Sequence, residues 1–280
     1  MNTVMTSPPC RDMYALLAQL QTVADTCAVI SSRHSHAVRA VDIAQPQLGV
    51  VLQGRKQVSD DEAAVVIEVG EMLVTSRACS VNVVNITDAQ QHCYATVCIP
   101  LPESVLQAAR LLQGETALRP VGTEPAIHCV EMAPYVPSLS AWASAILADD
   151  AIAARLALTQ VALQLVEHGH AAILLPPSQD MVAQIYALVR NHPAHPWQSA
   201  EIEQHLHLSG ATLRRRLAAQ GQSLKHIILQ ARLNCALDML YTSNWPLKTV
   251  AAKCGYQSVS VFTQRFQQRF GLLPTDIRTA

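Results

Sequence analysis

One short pattern occurs twice in the last third of this chain, and it restricts that region to one kind of small helical architecture. The first copy reads Ile202-Glu-Gln-His-Leu-His-Leu208-Ser209 and continues Ala211-Thr-Leu-Arg-Arg-Arg-Leu217. The second reads Val250-Ala-Ala-Lys-Cys-Gly-Tyr256-Gln-Ser258 and continues Ser260-Val-Phe-Thr-Gln-Arg-Phe266. Each is a small apolar helix, a turn, a serine and a second helix, and the two serines lie 49 residues apart. In the second copy Leu247, Val250, Ala251 and Cys254 fall at i, i+3, i+4 and i+7, one face of a helix. Gly255 supplies the freedom for a tight turn. Ser258 can cap the next helix and leave its amides facing a phosphate. Phe262, Phe266 and Phe270, the only phenylalanines in the sequence, recur at i, i+4 and i+8 and predict that unit's core.

The opposite faces carry polar groups. In the first unit Leu213 and Leu217 point inward, and Ala211, Thr212, Arg214 and Arg215 outward. In the second, Ser260, Thr263, Gln264 and Gln267 point outward. Arginine can hold guanine and glutamine can hold adenine through paired hydrogen bonds in a major groove. The candidate DNA-binding set is therefore Ser209, Ala211, Thr212, Arg214, Arg215, Ser258, Ser260, Thr263, Gln264 and Gln267. Three successive arginines also suit a plain solvated face, but inside a serine-capped helix groove or phosphate contact is favoured. Arg216 is expected to point along the backbone rather than at bases. Leu229, Leu233, Ala236, Leu237 and Leu240 predict a long helix that spaces the two units.

Charge divides along the same line. Residues 178–280 carry 11 Lys and Arg against 5 Asp and Glu, a net of +6, while residues 1–177 carry a net of −7. A basic C-terminal part on an acidic body suggests that only the former meets phosphate. Pro176-Pro177 interrupts regular structure, Ser178 is a candidate helix cap, and the domain boundary is placed there.

The N-terminal region reads differently. A short apolar helix is expected from Met13 to Val23. Leu48–Gln53, Ala64–Glu68, Met72–Thr75, Val81–Ile86 and Tyr94–Ile99 are short and rich in Val and Ile, with Gly54, Asp60-Asp61 and Gly70 between them. That spacing predicts a small antiparallel sandwich or barrel. Helical spacing resumes at Glu103, and one longer helical stretch is expected from Ser138 to His168.

The segments Gly221-Gln-Ser, Arg232-Leu-Asn-Cys-Ala236, Val250 to Ser258, Phe262-Thr-Gln-Arg-Phe266 and Gly271-Leu-Leu-Pro-Thr-Asp-Ile-Arg278 together resemble the AraC/XylS family of bacterial transcription regulators. The match covers about 85 residues and is highly specific. Val50-Val-Leu-Gln-Gly-Arg-Lys56 and Val69-Gly-Glu-Met-Leu-Val74 resemble the cupin-like arm domain of such regulators. The resemblance implies an α+β chain. Residues 1–177 would be a cupin-like β-barrel with a helical extension, for regulation or dimerisation. Residues 178–280 would be an all-α DNA-binding domain with two helix-turn-helix units. It implies a transcription regulator, often an activator, that binds promoter DNA, works with RNA polymerase, and responds to a small molecule or acts as a homodimer. Two positions depart from the family pattern. Glu203 stands where a small residue is usual, and Gln264 stands where arginine is usual, with Arg265 one step along.

Other chemistry finds little support. No Gly-rich phosphate loop or nucleophile constellation is visible, so no enzyme is expected, and no cofactor. His34-Ser-His36 and His168-Gly-His170 lack the following carboxylate and further histidine of a metal-binding cupin, and His92 does not supply them, so no metal is expected. The 8 cysteines form no Cys-x-x-Cys, which excludes the clustered zinc site of DNA-repair methyltransferases with similar DNA-binding helices. Cys235 and Cys254 fall on apolar helix faces and read as core. No signal peptide and no membrane span are read, so a cytoplasmic protein with reduced thiols is expected. Two alternatives remain: an effector- or partner-binding protein whose DNA domain has degenerated, and a cupin enzyme fused to DNA-binding helices.

Overall fold

A computed structural model describes residues 8–20, 26–114, 124–176 and 180–278. The chain forms two compact units that divide at Pro177 and Ser178.

The first unit is built on two antiparallel sheets. Its strands are β1 (Ala28–Ser32), β2 (His36–Ile43), β3 (Gln47–Gln53), β4 (Arg55–Ser59), β5 (Ala64–Ile67), β6 (Glu71–Thr75), β7 (Cys79–Ile86), β8 (Tyr94–Pro100) and β9 (Ile127–Glu131). One sheet has the order β1-β8-β3-β6-β9 and the other β2-β7-β4-β5. The alternation of side chains along a strand explains how they stack. Val51, Leu73, Tyr94 and Ile127 of the five-stranded sheet share one core with Ile43, Val58, Ile67, Val81 and Val83 of the four-stranded sheet. The intervening residues Leu48, Val50, Met72, Val74, Val97 and Ile99 point to the other face and join a second core with helices. β3 is thus buried on both sides, which is why its sequence, QLGVVLQ, is a nearly continuous apolar run. A bulge between Val38 and Val41 bends the edge strand β2, with Ala40 at φ 49° and its amide donating to Asn82 Oδ1 at 3.1 Å.

The helices over the five-stranded sheet are α1 (Pro8–Leu17), α2 (Glu103–Gln113), α3 (Val136–Leu147) and α4 (Ala151–Glu167). They bury Met13, Leu17, Leu139, Trp142, Leu158, Val161 and Leu165, joined by Tyr135 of the turn before α3. Two expectations are corrected. The N-terminal helix starts earlier and stops at Leu17, with a turn at residues 18–19, while residues 21–25, including Val23, lie outside the described residues. The stretch from Ser138 to His168 is two packed helices, not one. Asp149 takes φ 56°, and Asp150 caps α4 by accepting from the amides of Ile152 and Ala153 at 3.1 and 2.9 Å.

The second unit is all helix: α5 (Met181–Asn191), α6 (Ser199–Leu206), α7 (Gly210–Ala219), α8 (Leu224–Thr242), α9 (Leu247–Lys253), α10 (Val259–Phe270) and α11 (Pro274–Arg278). Ser178 lies outside the described residues. α8 is the axis. Ile227, Ala231, Leu233, Asn234, Cys235, Ala236, Leu237 and Leu240 are buried along it, so apolar positions surround it and it is central rather than amphipathic. Its first half joins a core with Met181, Ile185, Val189, Ile202, Leu213 and Leu217. Its later part packs on α9 and α11. The Arg190–Asp238 ion pair at 2.9 Å ties α5 to α8.

Candidate nucleic-acid interface

The first helix-turn-helix is α6, a turn through His207 in the left-handed region at φ 53°, and α7. The start of α6 is held by a capping box, with the Gln198 amide donating to Glu201 Oε2 at 2.8 Å. His195 Nε2 meets the other Glu201 oxygen at 3.0 Å. These contacts, the Gln198 amide first, hold the Glu201 carboxyl below its usual range. Ile202 packs with Leu213 and Leu217, which sets the angle of α7. Ser209 caps α7, accepting from the Thr212 amide at 3.3 Å, and its hydroxyl pairs with that of Thr212 at 2.9 Å. Ala211, Arg214 and Arg215 are exposed and Thr212 is half-buried. Arg216 is also exposed, but it lines a pocket of about 440 Å³ with Asp180, Met181, Gln184, Leu206, Leu208, Ala219 and Gln220. It therefore faces α5 and α6 side chains while Arg214 and Arg215 form the outward pair.

The second unit repeats the plan through α9 and α10. The turn passes through Gly255 at φ +79°, and a side chain there would sit 3.0 Å from both Arg232 and the Pro193 carbonyl. Any other side chain would strain this backbone and crowd this contact. Ser258 caps α10 by accepting from the Val261 amide at 3.4 Å and bonds the Ser260 hydroxyl at 2.9 Å. Phe262, Phe266 and Phe270 are fully buried, with centroids 5.7 and 4.6 Å apart in succession. Ser260, Gln264 and Gln267 are exposed, whereas Thr263 is half-buried at the edge of that face. Val261 and Gln268 are exposed on the same side. The sequence reading passed over both, Val261 because an apolar residue beside Phe262 reads as core.

The structure thus places all ten predicted positions at the caps or on the faces of two similar helices: α7 shares a core with α8, and α10 packs on α9 and α11, which themselves pack on α8. Residues 202–280 match the helix-turn-helix domain family. This stretch is an AraC-type helix-turn-helix domain. Among similar proteins are GadX of Escherichia coli O6:H1, 31% identical over 97 residues, or 35% of each chain. SirC of Salmonella typhimurium is 32% identical over 91 residues, 32% of this chain and 31% of that protein. The sequence match thus spans about a third of the length of these relatives. Apo ToxT of Vibrio cholerae shares the two-unit fold along nearly the whole chain. Its TM-score is 0.68 at 15% identity, covering 92% of this chain and 98% of ToxT. ToxT with a bound unsaturated fatty acid gives 0.66 at 16% identity, covering 89% and 93%.

Within the AraC-type domain the Glu203 departure has a local explanation. Its carboxylate lies where a side chain at residue 210 would be, 2.6 Å from a Cβ built there, so Gly210 leaves room for it. Ser199 donates to it at 2.7 Å. Both cysteines of the domain are core groups: burial pushes the Cys235 thiol up to about 11 and the Cys254 thiol up to about 12.

Outside that domain, the notable polar cluster is one that the sequence did not reveal. Lys56 of β4 is buried. Its Nζ donates to Asn85 Oδ1 at 3.1 Å and to the Tyr94 hydroxyl at 3.3 Å, joining the two sheets. Burial works against its ammonium, but Tyr94 and Cys98 outweigh that and the pKa is raised. The Asn85 amide nitrogen meets His36 Nε2 at 3.3 Å, and His36 Nδ1 meets the His34 carbonyl at 3.1 Å. His34-Ser-His36 therefore belongs to a hydrogen-bonded chain. Among the described residues no group of three or more His, Cys, Asp or Glu is arranged to hold a metal ion, and no helix is long and apolar enough to cross a membrane.

Proposed function

We propose that this chain is a sequence-specific transcription regulator of double-stranded DNA, activating in sign and acting in the cytoplasm with RNA polymerase. Residues 178–280 bind DNA, and residues 1–177 are a regulatory and dimerisation domain. The observation that carries this reading is the pair of serine-capped helices, α7 and α10, each with an exposed polar face. Two such helices can enter successive major-groove faces of one duplex. Ser209, Thr212, Ser258 and Thr263 border the phosphate backbone, and Ala211, Arg214, Arg215, Ser260, Gln264 and Gln267 face the groove. Cap serines leave helix N-terminal amides toward phosphate.

A small-molecule effector for the first unit is supported by its likeness to a fold that holds an unsaturated fatty acid in ToxT. The interior between the sheets is packed with Val51, Val58, Ile67, Leu73 and Tyr94, so an effector acts by selecting an arrangement of this unit for which it has greater affinity.

The test is a mobility shift with the full chain on genomic fragments over a salt series, with Arg214→Ala and Arg215→Ala. Each variant is expected to lose about 1–3 kcal/mol on the preferred site and to relax preference at one or two base pairs. Folded variants that bind like wild type would overturn the assignment.

A further inference from the structure

The two outward faces differ in kind. Phe262, Phe266 and Phe270 fix the inward direction of α10. The helical step of about 100° then turns Ser260, Val261, Gln264, Gln267 and Gln268 away from the core, and all five are exposed. None is charged. Arg265, also exposed, follows Val261 by one turn at the margin of that face. α7 presents Arg214 and Arg215 instead. Between Gln264 at i+3 and Arg265 at i+4, Val261 is 48% exposed. Its position is fixed, because its own amide is the one that Ser258 caps.

Each of these side chains has its own complement on a base edge. Arginine takes guanine O6 and N7, glutamine takes adenine N6 and N7, and an apolar side chain is satisfied by the thymine methyl. Gln264 and Val261 are three residues apart, hence neighbours on one face. An A·T pair shows the adenine acceptor and donor and the thymine methyl on the same major-groove edge.

Resting on the DNA-reading function above, we propose that the bound site is asymmetric: α10 reads an A·T half-site with a thymine methyl seated against Val261 and an adenine held by Gln264, and α7 reads a half-site containing guanine. Val261 is then a specificity-determining residue, and the Gln264 departure from the family pattern is a change of base preference.

The experiment selects duplexes from a randomised library with the full chain, then replaces each thymine of the enriched A·T half-site by deoxyuridine, which removes only the methyl. At one position wild type should lose about fourfold in affinity, the value of one buried methyl-sized group. Val261→Ser should lose that sensitivity while keeping its preference in the guanine half-site, and Val261→Thr, which retains a methyl, should keep it. Enriched sites without an A·T half, without a deoxyuridine-sensitive position, or with sensitivity unchanged in Val261→Ser would overturn the inference and leave DNA reading intact. No enrichment at all would overturn the DNA-reading function itself.

Discussion

His36 shows how one side chain can carry a pH dependence for a whole unit. Its Nδ1 meets a carbonyl oxygen and so bears the proton, and its Nε2 accepts from Asn85. Lys56 fixes the direction of that amide by donating to its oxygen. Burial first, and then the nearby ammonium of Lys56, hold the His36 pKa below the ordinary 6.5, against a raising contribution from the His34 carbonyl. The native state therefore binds fewer protons than the unfolded chain in this range, and stability rises with pH. The contribution is complete above 6.5 and is lost as pH falls through the lowered native value. His170 is shifted the same way, by burial and then by His128. We expect the denaturation midpoint of the first unit to fall between about pH 7 and pH 5, and His36→Gln to flatten the profile. An unchanged slope in that variant would remove His36 from the account. Tyr94→Phe deletes a hydrogen-bond partner of the buried ammonium and should cost about 1–3 kcal/mol by chemical denaturation. Phe266→Ala leaves a void in the middle of the phenylalanine stack and should cost the AraC-type domain about 3–5 kcal/mol; unaltered melting of that domain would contradict it.

At the scale of elements, α4 has a feature that its own fold does not use. Ala154, Leu158, Val161, Ala162 and Leu165 face the core, while Ile152 and Leu156 are each 66% exposed on the same side of the helix. They suit the self-association proposed for the first unit. Leu156→Glu should weaken a dimer seen by sedimentation at tens of micromolar, a scale typical of functional affinities; a wild-type chain that stays monomeric there would end that idea. The contrast between α4 and α10 shows what was legible in the sequence. α10 was readable because its aromatic stripe and its cap share one register. In α4 the apolar residues run nearly all round, so Leu156 looked the same as Leu158. The strands with apolar runs, β3 and β6 to β8, could be read, and so could β5. β4 could not, because its sequence RKQVS buries a lysine, and charge normally marks a surface. The break between α3 and α4 rests on Asp149 in a left-handed conformation, which local propensity alone does not announce.

Across the whole molecule, charge separates along the chain. The +6 of residues 178–280 and the −7 of residues 1–177 give any approaching duplex one attractive region and one repulsive region. Binding should therefore weaken linearly on a log–log salt plot, with a slope of about −2 or steeper, since each neutralised phosphate contributes about −0.9. A slope near zero in a filter-binding titration would mean that phosphate is not the partner. Net charge was visible in the composition. Its effect on binding orientation was not, because it depends on which side chains the helices turn outward.

The buried core of α8 has a consequence for the genome that encodes such sites. A shaft of 19 residues packed along its length allows little stretch or twist between α7 and α10. A base substitution beneath either helix would weaken occupancy by degrees. An insertion of about five base pairs between the half-sites would turn one of them to the far side of the duplex, roughly half a helical turn away. Under the proposed function, occupancy should therefore erode slowly under point mutation, yet be lost in one step to an insertion or deletion between the half-sites.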